Sequence, residues 1–260
     1  MSSTSSAADY GIDAPYVIRN LLIAGGLALI LFLAGFTGVW SGRLGPLRFS
    51  TIGFLLMGLV LMAVGFWMWW SSKFGKIRER EQLLSKISWR GDEQVLDVGC
   101  GRGLLLIGAA KRLTTGKATG IDLWQKEDLS GNTPEAAMEN AKREGVSERV
   151  EVKTGDMRKM PFANASFDVI VSRAAIHNLY SVEDRAKAVR EIARVLKPGG
   201  LALIDDIRHF QEYAAVFTDN GCDVRRISSA AVSTFWTILT FGSLRPATLL
   251  VRKSPDRQKS

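Results

Sequence analysis

Three glycines at alternate positions, Gly99, Gly101 and Gly103, follow an apolar run that carries Asp97, so that Val95 to Gly103 reads VLDVGCGRG. Glycine lets the backbone turn through conformations closed to other residues and lets a ligand approach it closely. The apolar stretch Leu104 to Leu113 suits a helix whose first turn aims free N–H groups and the positive end of its dipole at whatever docks there. Such a loop cradles a nucleotide-like ligand. Its spacing narrows the choice, because a dinucleotide loop sets its third glycine three residues after its second. Here that gap is two, and a carboxylate precedes the loop. Three more chemistry-bearing side chains follow: Asp122, Asp156 and His177.

The elements that must position these residues are legible in the alternation of the chain. Strands are predicted over residues 93–98, 117–121, 150–153, 167–172, 201–207, 224–227 and 248–252. Helices are predicted over 104–113, from Pro134 to Gly145, over 184–196 and over 210–220. Pro134 sits at the favoured first helical position and Gly145 at a helix end. The turn Lys197-Pro198-Gly199-Gly200 precedes the fifth strand. Strands alternating with helices predict a parallel sheet covered on both faces. Ligands bind such sheets beyond the carboxyl ends of the strands, where Asp97, Asp122 and Asp156 all fall.

Five stretches, in order, resemble the class I S-adenosylmethionine (SAM) methyltransferases, most closely the branch containing the ubiquinone and menaquinone C-methyltransferases. They are VLDVGCGRG, then ATGIDLW (118–124), TGDMRKMPF (154–162), FDVIVSRAAIHNL (167–179) and REIARVLKPGGLALIDDI (190–207). The resemblance covers residues 75–253 and implies a seven-stranded Rossmann-like sheet binding S-adenosyl-L-methionine. It implies that Gly99, Cys100, Gly101 and Gly103 form the cofactor loop and that Asp97 orients it and the methionine amino group. It implies that Asp122 accepts from the ribose hydroxyls, Leu123 packs the adenine, Asp156 accepts from the adenine amino group and Met157 offers its N–H to the ring. Ser172 and Arg173 end the fourth strand beside the place of the transferable methyl.

Some chemistry is absent from the pattern. No Asn-Pro-Pro-Tyr/Phe sequence occurs, which argues against transfer to adenine or glutamine amides. Asp205 and Asp206 follow the fifth strand, but the acid a metal-dependent site would need after the fourth strand is replaced by Ser172, so no metal is expected. His177 is the one candidate base near the methyl, with a side chain suited to proton transfer near neutral pH. The competing reading is a packed histidine at a helix start, since alignment alone supplies much of a methyl transfer. Two segments depart from the family pattern. Trp124 to Thr133 lengthens the connection after Asp122, either as a cover for the adenine or as a plain loop. Ala230 to Leu244, AAVSTFWTILTFGSL, is uncharged and reads either as a membrane-dipping substrate lip or as a packing element.

The N-terminal third is of another kind. Leu21 to Trp40 and Ser50 to Trp70 carry no charge and are almost wholly apolar. Runs of about 20 residues span roughly 30 Å as helices, the thickness of a bilayer core. Glycines 25, 26, 35, 38, 53, 58 and 65 suit close helix packing, and Trp40, Trp67, Trp69 and Trp70 suit the membrane boundary. Lys73, Lys76, Arg78, Arg80 and Lys86 follow the second run, whereas the linker holds only Arg43 and Arg48. The positive-inside bias therefore places the C-terminal part, and with it the N-terminus, in the cytoplasm.

The formal net charge is +8, spread among both signs, with no arginine block or aromatic-basic platform of the kind nucleic-acid binding needs. Two cysteines, Cys100 and Cys222, cannot form a disulfide framework, and a reducing compartment fits. The expected organisation is a disordered 1–16, a transmembrane hairpin at 17–71, an amphipathic linker helix at 72–90, a methyltransferase domain at 91–254 and a tail at 255–260. The expected activity is methyl transfer from SAM to a small lipophilic acceptor at the inner face of a cell membrane. An inactive membrane scaffold, a protein methyltransferase with a membrane partner and a nicotinamide-dependent oxidoreductase stand as alternatives, the last disfavoured by the glycine spacing.

Overall fold

The computed structural model describes residues 7–44, 47–125, 127–228 and 245–255, together with Thr234 and Thr237. The chain divides into two compact units: residues 11–76 with 125–131, and residues 1–10, 77–124 and 132–260.

In the first unit, α1 (Pro15–Phe36) and α2 (Thr51–Trp70) form a hairpin. Both helices are long and apolar enough to cross a membrane. Ile23, Leu27, Ile30, Leu56, Val60 and Phe66 are exposed on them. Water would penalise so large an apolar surface, whereas hydrocarbon would not. The helices meet through glycines. A Cβ on Gly25 would lie 2.9 Å from the Met62 side chain and 3.1 Å from its backbone nitrogen, and one on Gly65 would lie 3.0 Å from Leu22. Small residues are what let membrane helices pack without a hydrophobic drive between them.

Ser50 caps α2 by accepting from the Gly53 N–H. Trp40, Phe49 and Phe54 cluster at one end of the hairpin, and Phe66, Trp69, Trp70 and Phe74 at the other. A π-turn, Ser71–Gly75, leads from α2 into α3 (Lys76–Leu84). The 125–131 stretch of the lengthened connection after Asp122 belongs to this unit. The N–H of Ser130 donates to Ile12 O at 3.1 Å, and the N–H of Ala14 donates to Asp128 O at 3.0 Å.

The second unit is built on a seven-stranded sheet: β1 (Gln94–Val98), β2 (Lys117–Asp122), β3 (Val150–Thr154), β4 (Phe167–Arg173), β5 (Leu196–Asp206), β6 (Cys222–Arg226) and β7 (Ala247–Lys253). Their spatial order is β3-β2-β1-β4-β5-β7-β6. The sheet is mixed, not wholly parallel as expected: β7 runs antiparallel to both β5 and β6. It slots between them, and an antiparallel strand needs no helical crossover. The turn expected before the fifth strand is absorbed into β5. Its register against β4 jumps from Phe167–Leu196 to Val169–Leu201, so residues 197–200 bulge.

The helices are α4 (Leu104–Ala110), α5 (Pro134–Arg143), α6 (Val182–Val195) and α7 (Phe210–Asp219). Thr133 and Ser181 cap α5 and α6 by accepting from Ala136 N–H and Asp184 N–H. One sheet face buries Leu96, Ile170, Ile192, Ile204, Tyr213 and Phe217; the other buries Leu84, Val95, Leu106, Ile107, Val171 and Leu203. The strand order reverses between β1 and β4, which opens a crevice at their carboxyl ends.

Residues 7–10, expected to be disordered, are instead fixed in this unit. The Asp9 N–H donates to Asn140 Oδ1, and Asn140 Nδ2 donates back to Asp9 O at 2.8 Å. Tyr10 is buried and bonds both Glu144 and Arg80.

Replacing Gly25 with Ala should destabilise the full chain by about 1–3 kcal/mol through overpacking. Gly26→Ala should be close to neutral, because nothing lies within 4 Å of its Cβ position. Thermal melts of both variants in the same detergent check this.

Candidate active site

The reversal point of the sheet is where the predicted site residues gather. Asp97, one residue before the end of β1, is buried, and its Oδ2 accepts the Leu106 N–H at 2.8 Å. Leu106 lies in the first turn of α4, so a strand carboxylate satisfies one of the helix's free donors from outside. Between them the loop winds through positive φ at Gly99 (73°), Gly101 (52°) and Gly103 (85°). At Gly99 the space is taken as well, since a Cβ there would lie 2.3 Å from the Ala175 Cβ. Glycine is required on both counts.

Asp122 ends β2 and ties the loop to its neighbour. Its Oδ2 accepts the Gly101 N–H at 2.8 Å, and its Oδ1 accepts the Trp124 N–H at 2.6 Å. Carboxylate oxygens have lone pairs beyond these bonds for further donors. Leu123, the next residue, is 46% exposed, which leaves an apolar surface free beside that acid. Cys100, predicted in the loop, turns its thiol inward against Gly120 and is buried. Burial pushes that thiol well above its ordinary pKa, so it is no nucleophile.

Asp156, just beyond β3, is held by Arg158. The Arg158 backbone N–H donates to Oδ1 at 2.8 Å and its Nη2 to Oδ2 at 2.6 Å. Those bonds hold the Asp156 carboxyl below its usual range. Arg158 also reaches Asp184 at 2.9 Å, a bridge the sequence reading did not foresee. Met157 packs against the buried core, within 3.6 Å of the Gly99 Cβ position.

At the end of β4 the two predicted residues diverge. Ser172 Oγ donates to Val98 O at 2.8 Å, fastening β4 to β1. The Arg173 side chain turns to the opposite face, where it pairs with Glu79 and lies 3.6 Å from Asp205 Oδ2. Only the Arg173 backbone stays at the strand end, because neighbouring strand residues point to opposite faces. Arg173 and Asp205 line a cavity of about 470 Å³ with Glu79, Gln82, Lys86 and Thr248. Burial pushes the Asp205 carboxyl up, while Arg173 and the Thr248 hydroxyl oppose that rise.

His177 sits in a 3₁₀ turn, Ile176–Asn178, two residues after the Ala175 that packs on Gly99. Its Nδ1 lies 2.5 Å from Asp206 Oδ1. Asp206 was read together with Asp205 after the fifth strand, yet the two project to opposite faces. Strand parity carried the signal, since Ala202, Ile204 and Asp206 alternate toward the α6 and α7 side.

The arrangement can hold a nucleoside and its chain across β1 to β4. The positive-φ loop gives close backbone approach, Asp122 gives acceptors, and Leu123 gives an apolar face. The class defined is a Rossmann-like fold with its crevice at the carboxyl ends of β1 and β4. Residues 96–204 match the methyltransferase domain family, Methyltransf_11. Among curated relatives, methyltransferase GfsG of Streptomyces halstedii is 35% identical over 130 residues, which cover 50% of this chain and 43% of that protein. Demethylmenaquinone methyltransferase of Lactiplantibacillus plantarum is 32% identical over 121 residues, covering 46% of this chain and 47% of that protein. The chain thus spans about half the length of the curated relatives it matches.

Two solved structures share the fold. A SAM-dependent methyltransferase from Aquifex aeolicus has a TM-score of 0.51 at 21% identity, covering 68% of this chain and 90% of that one. Geranyl diphosphate methyltransferase in complex with SAM has a TM-score of 0.52 at 17% identity, covering 68% and 84%. Over residues 96–204 the chain is thus similar to methyltransferase domains, and its second unit has the fold of these solved methyltransferases.

Burial raises the Asp97 carboxyl from 3.8 to about 8, against the Leu106 N–H bond that lowers it and with Asp122 adding to the rise. The folded chain therefore binds a proton that the unfolded chain releases above about pH 4. That stability is full below the unfolded value and is lost as pH rises through about 8. The melting temperature of the cofactor-free protein should fall between pH 5 and pH 9, and Asp97→Asn should flatten that decline.

Proposed function

We propose that this protein is a membrane-anchored methyltransferase that moves the methyl group of SAM to a small lipophilic acceptor at the cytoplasmic face of a bilayer. The observation that carries the transfer is the placing of the glycine loop, Asp122 and Asp156 at three successive strand ends, with Leu123 exposed beside Asp122. Asp122 and the loop would hold the ribose and the methionine chain, Leu123 and Met157 would pack the adenine, and Asp97 would fix the loop. Bound there, SAM supplies an electrophilic methyl, and the chain's own task is alignment and exclusion of water.

The curated relatives include enzymes named for small molecules, among them a demethylmenaquinone methyltransferase and a sterol 4-C-methyltransferase. Those names support a small and lipophilic acceptor here. The expected substrate lip, 230–244, lies outside the described residues apart from Thr234 and Thr237. The described cavity beside Arg173 has a mixed lining, Leu83 and Ile227 among charged and polar groups.

Anchoring is supported by what flanks the hairpin. Arg80, which follows it, donates to the hydroxyl of Tyr10, which precedes it, and both bond Glu144 of α5. A chain whose two flanks close on one unit has crossed an even number of times. The basic cluster at 73–86 supports a cytoplasmic placement of that unit.

Asp122→Ala should weaken SAM binding by about 10- to 100-fold, the loss expected for charge-assisted hydrogen bonds, as read by calorimetry. In inverted and right-side-out vesicles, Ser41→Cys should label only from the non-cytoplasmic side. Incubating the full chain with methyl-labelled SAM and a total membrane lipid extract should label a lipid-phase species. Label found only in protein would overturn the small-acceptor reading.

A further inference from the structure

The glycine loop is held from a part of the chain that lies before the apolar hairpin. Residues 100–103 close a turn, with the Gly103 N–H donating to Cys100 O at 2.8 Å. On one side of that turn the Gly101 N–H is tied to Asp122. On the other side the Arg102 carbonyl accepts from Asn140 Nδ2 at 3.0 Å. Asn140 lies on α5 and is 1% exposed. Its amide also clasps the backbone of Asp9: Oδ1 accepts the Asp9 N–H at 2.9 Å, and Nδ2 donates to Asp9 O. One N–H at the oxygen and two carbonyls at the nitrogen fix which way the amide points. The Asp9 carboxylate closes the circuit, since Arg102 Nη2 donates to Asp9 Oδ2 at 3.2 Å. Arg102, the residue between the second and third loop glycines, is therefore held at both its carbonyl and its guanidinium.

A turn with Gly101 and Gly103 in positive φ has little stiffness of its own. If it is loose before the ligand arrives, ordering it on binding subtracts from affinity. The segment that stiffens it is anchored again a few residues on. Lys76 Nζ donates to Gly11 O at 3.0 Å and pairs with Asp13, and the Ile12 N–H donates to Ser130 Oγ at 2.8 Å.

We infer that Asp9 and Asn140 are positioning residues for the cofactor loop, so that the segment preceding the hairpin sets the affinity for SAM. The inference rests on the methyltransferase reading above. Each residue acts through Arg102 and not through a bond of its own to the cofactor. Linkage makes the effect reciprocal: if the docked segment favours the loop that binds SAM, bound SAM favours the docked segment by the same factor.

The test titrates the full chain with SAM by calorimetry in detergent micelles. Asp9→Ala keeps the backbone bonds to Asn140 and removes the bond to Arg102, so SAM should bind about 3- to 10-fold more weakly. Asp9→Asn keeps an acceptor for Arg102 and should return affinity to within about twofold of the wild type. Asn140→Ala releases the Arg102 carbonyl and the Asp9 backbone together, and should weaken binding by about 10- to 100-fold. In an Arg102→Ala background, Asp9→Ala should add less than about twofold, because its partner is gone. The SAM-free melting temperature of Asp9→Ala should stay close to that of the wild type, since a half-exposed ion pair adds little stability. Hydrogen exchange, read by mass spectrometry on the peptide containing Asp9, should slow when SAM is added to the wild type and slow less in Arg102→Ala.

A folded Asp9→Ala variant with wild-type affinity for SAM would overturn the inference, as would exchange at the Asp9 peptide that SAM leaves unchanged. If Asn140→Ala fails to fold, these two measurements decide. If the wild type binds no SAM, the methyltransferase reading falls and takes the inference with it. If it binds SAM while Asp9→Ala binds equally well, the positioning role alone falls.

Discussion

The close approach of Ala175 to Gly99 is the constraint on which the second unit turns. A side chain at Gly99 would break it, since a Cβ there would sit 2.3 Å from the Ala175 Cβ. Because the two backbones can touch, the segment leaving β4 lies against the loop leaving β1, at the point where strand order reverses. Everything chemical is arranged around that contact. Asp122 secures the loop from the β2 side, Ser172 secures β4 to β1 from beneath, and His177 is carried in on the turn that follows Ala175. Packing and function share one requirement here, since the same absence of a side chain that permits the contact also leaves backbone open to a ligand.

Much of this was legible in the sequence because it rests on local chemistry. Glycine spacing, capping threonine and serine, proline at a first helical position and apolar runs of strand length act over a few residues. The strand ends and the three acids follow from them. What was not legible depends on which face a strand residue takes and on what a distant element brings to it. Arg173 was placed beside the methyl through its backbone, which stays at the strand end, but the partners of its side chain, Glu79 and Asp205, were not legible. Asp206 was grouped with Asp205 by adjacency, yet adjacency in a strand means separation in space. The antiparallel β7 was missed for a related reason, because alternation of elements does not fix strand direction after the last helix.

The buried polar network around Glu144 was invisible for another reason: its members lie far apart in the chain. Tyr10, Arg80 and Lys111 all converge on one carboxylate of α5. Burial acts against ionising Glu144, but the donors from Lys111, Tyr10 and Arg80 outweigh it and hold its pKa down, near 2. Burial also pushes the Tyr10 hydroxyl up, so it remains a donor. Charges in low dielectric are tolerable only when paired in this way, and removal of one partner strands the others. The Ser- and Ala-rich start of the chain gave no hint that Asp9 and Tyr10 complete the set.

Residues 7–10 also alter what counts as the enzyme. The usual way to make a chain with an apolar N-terminal hairpin tractable is to cut after the hairpin and keep the rest. Here that cut would discard Asp9, which bonds Asn140 and the loop residue Arg102, and Tyr10, which fills the pocket between Arg80 and Glu144. The unit that holds the sheet is discontinuous, with the apolar hairpin as an insertion within it. A water-soluble version would have to be spliced, joining the first ten residues to the helix that begins at Lys76 through a short new connection.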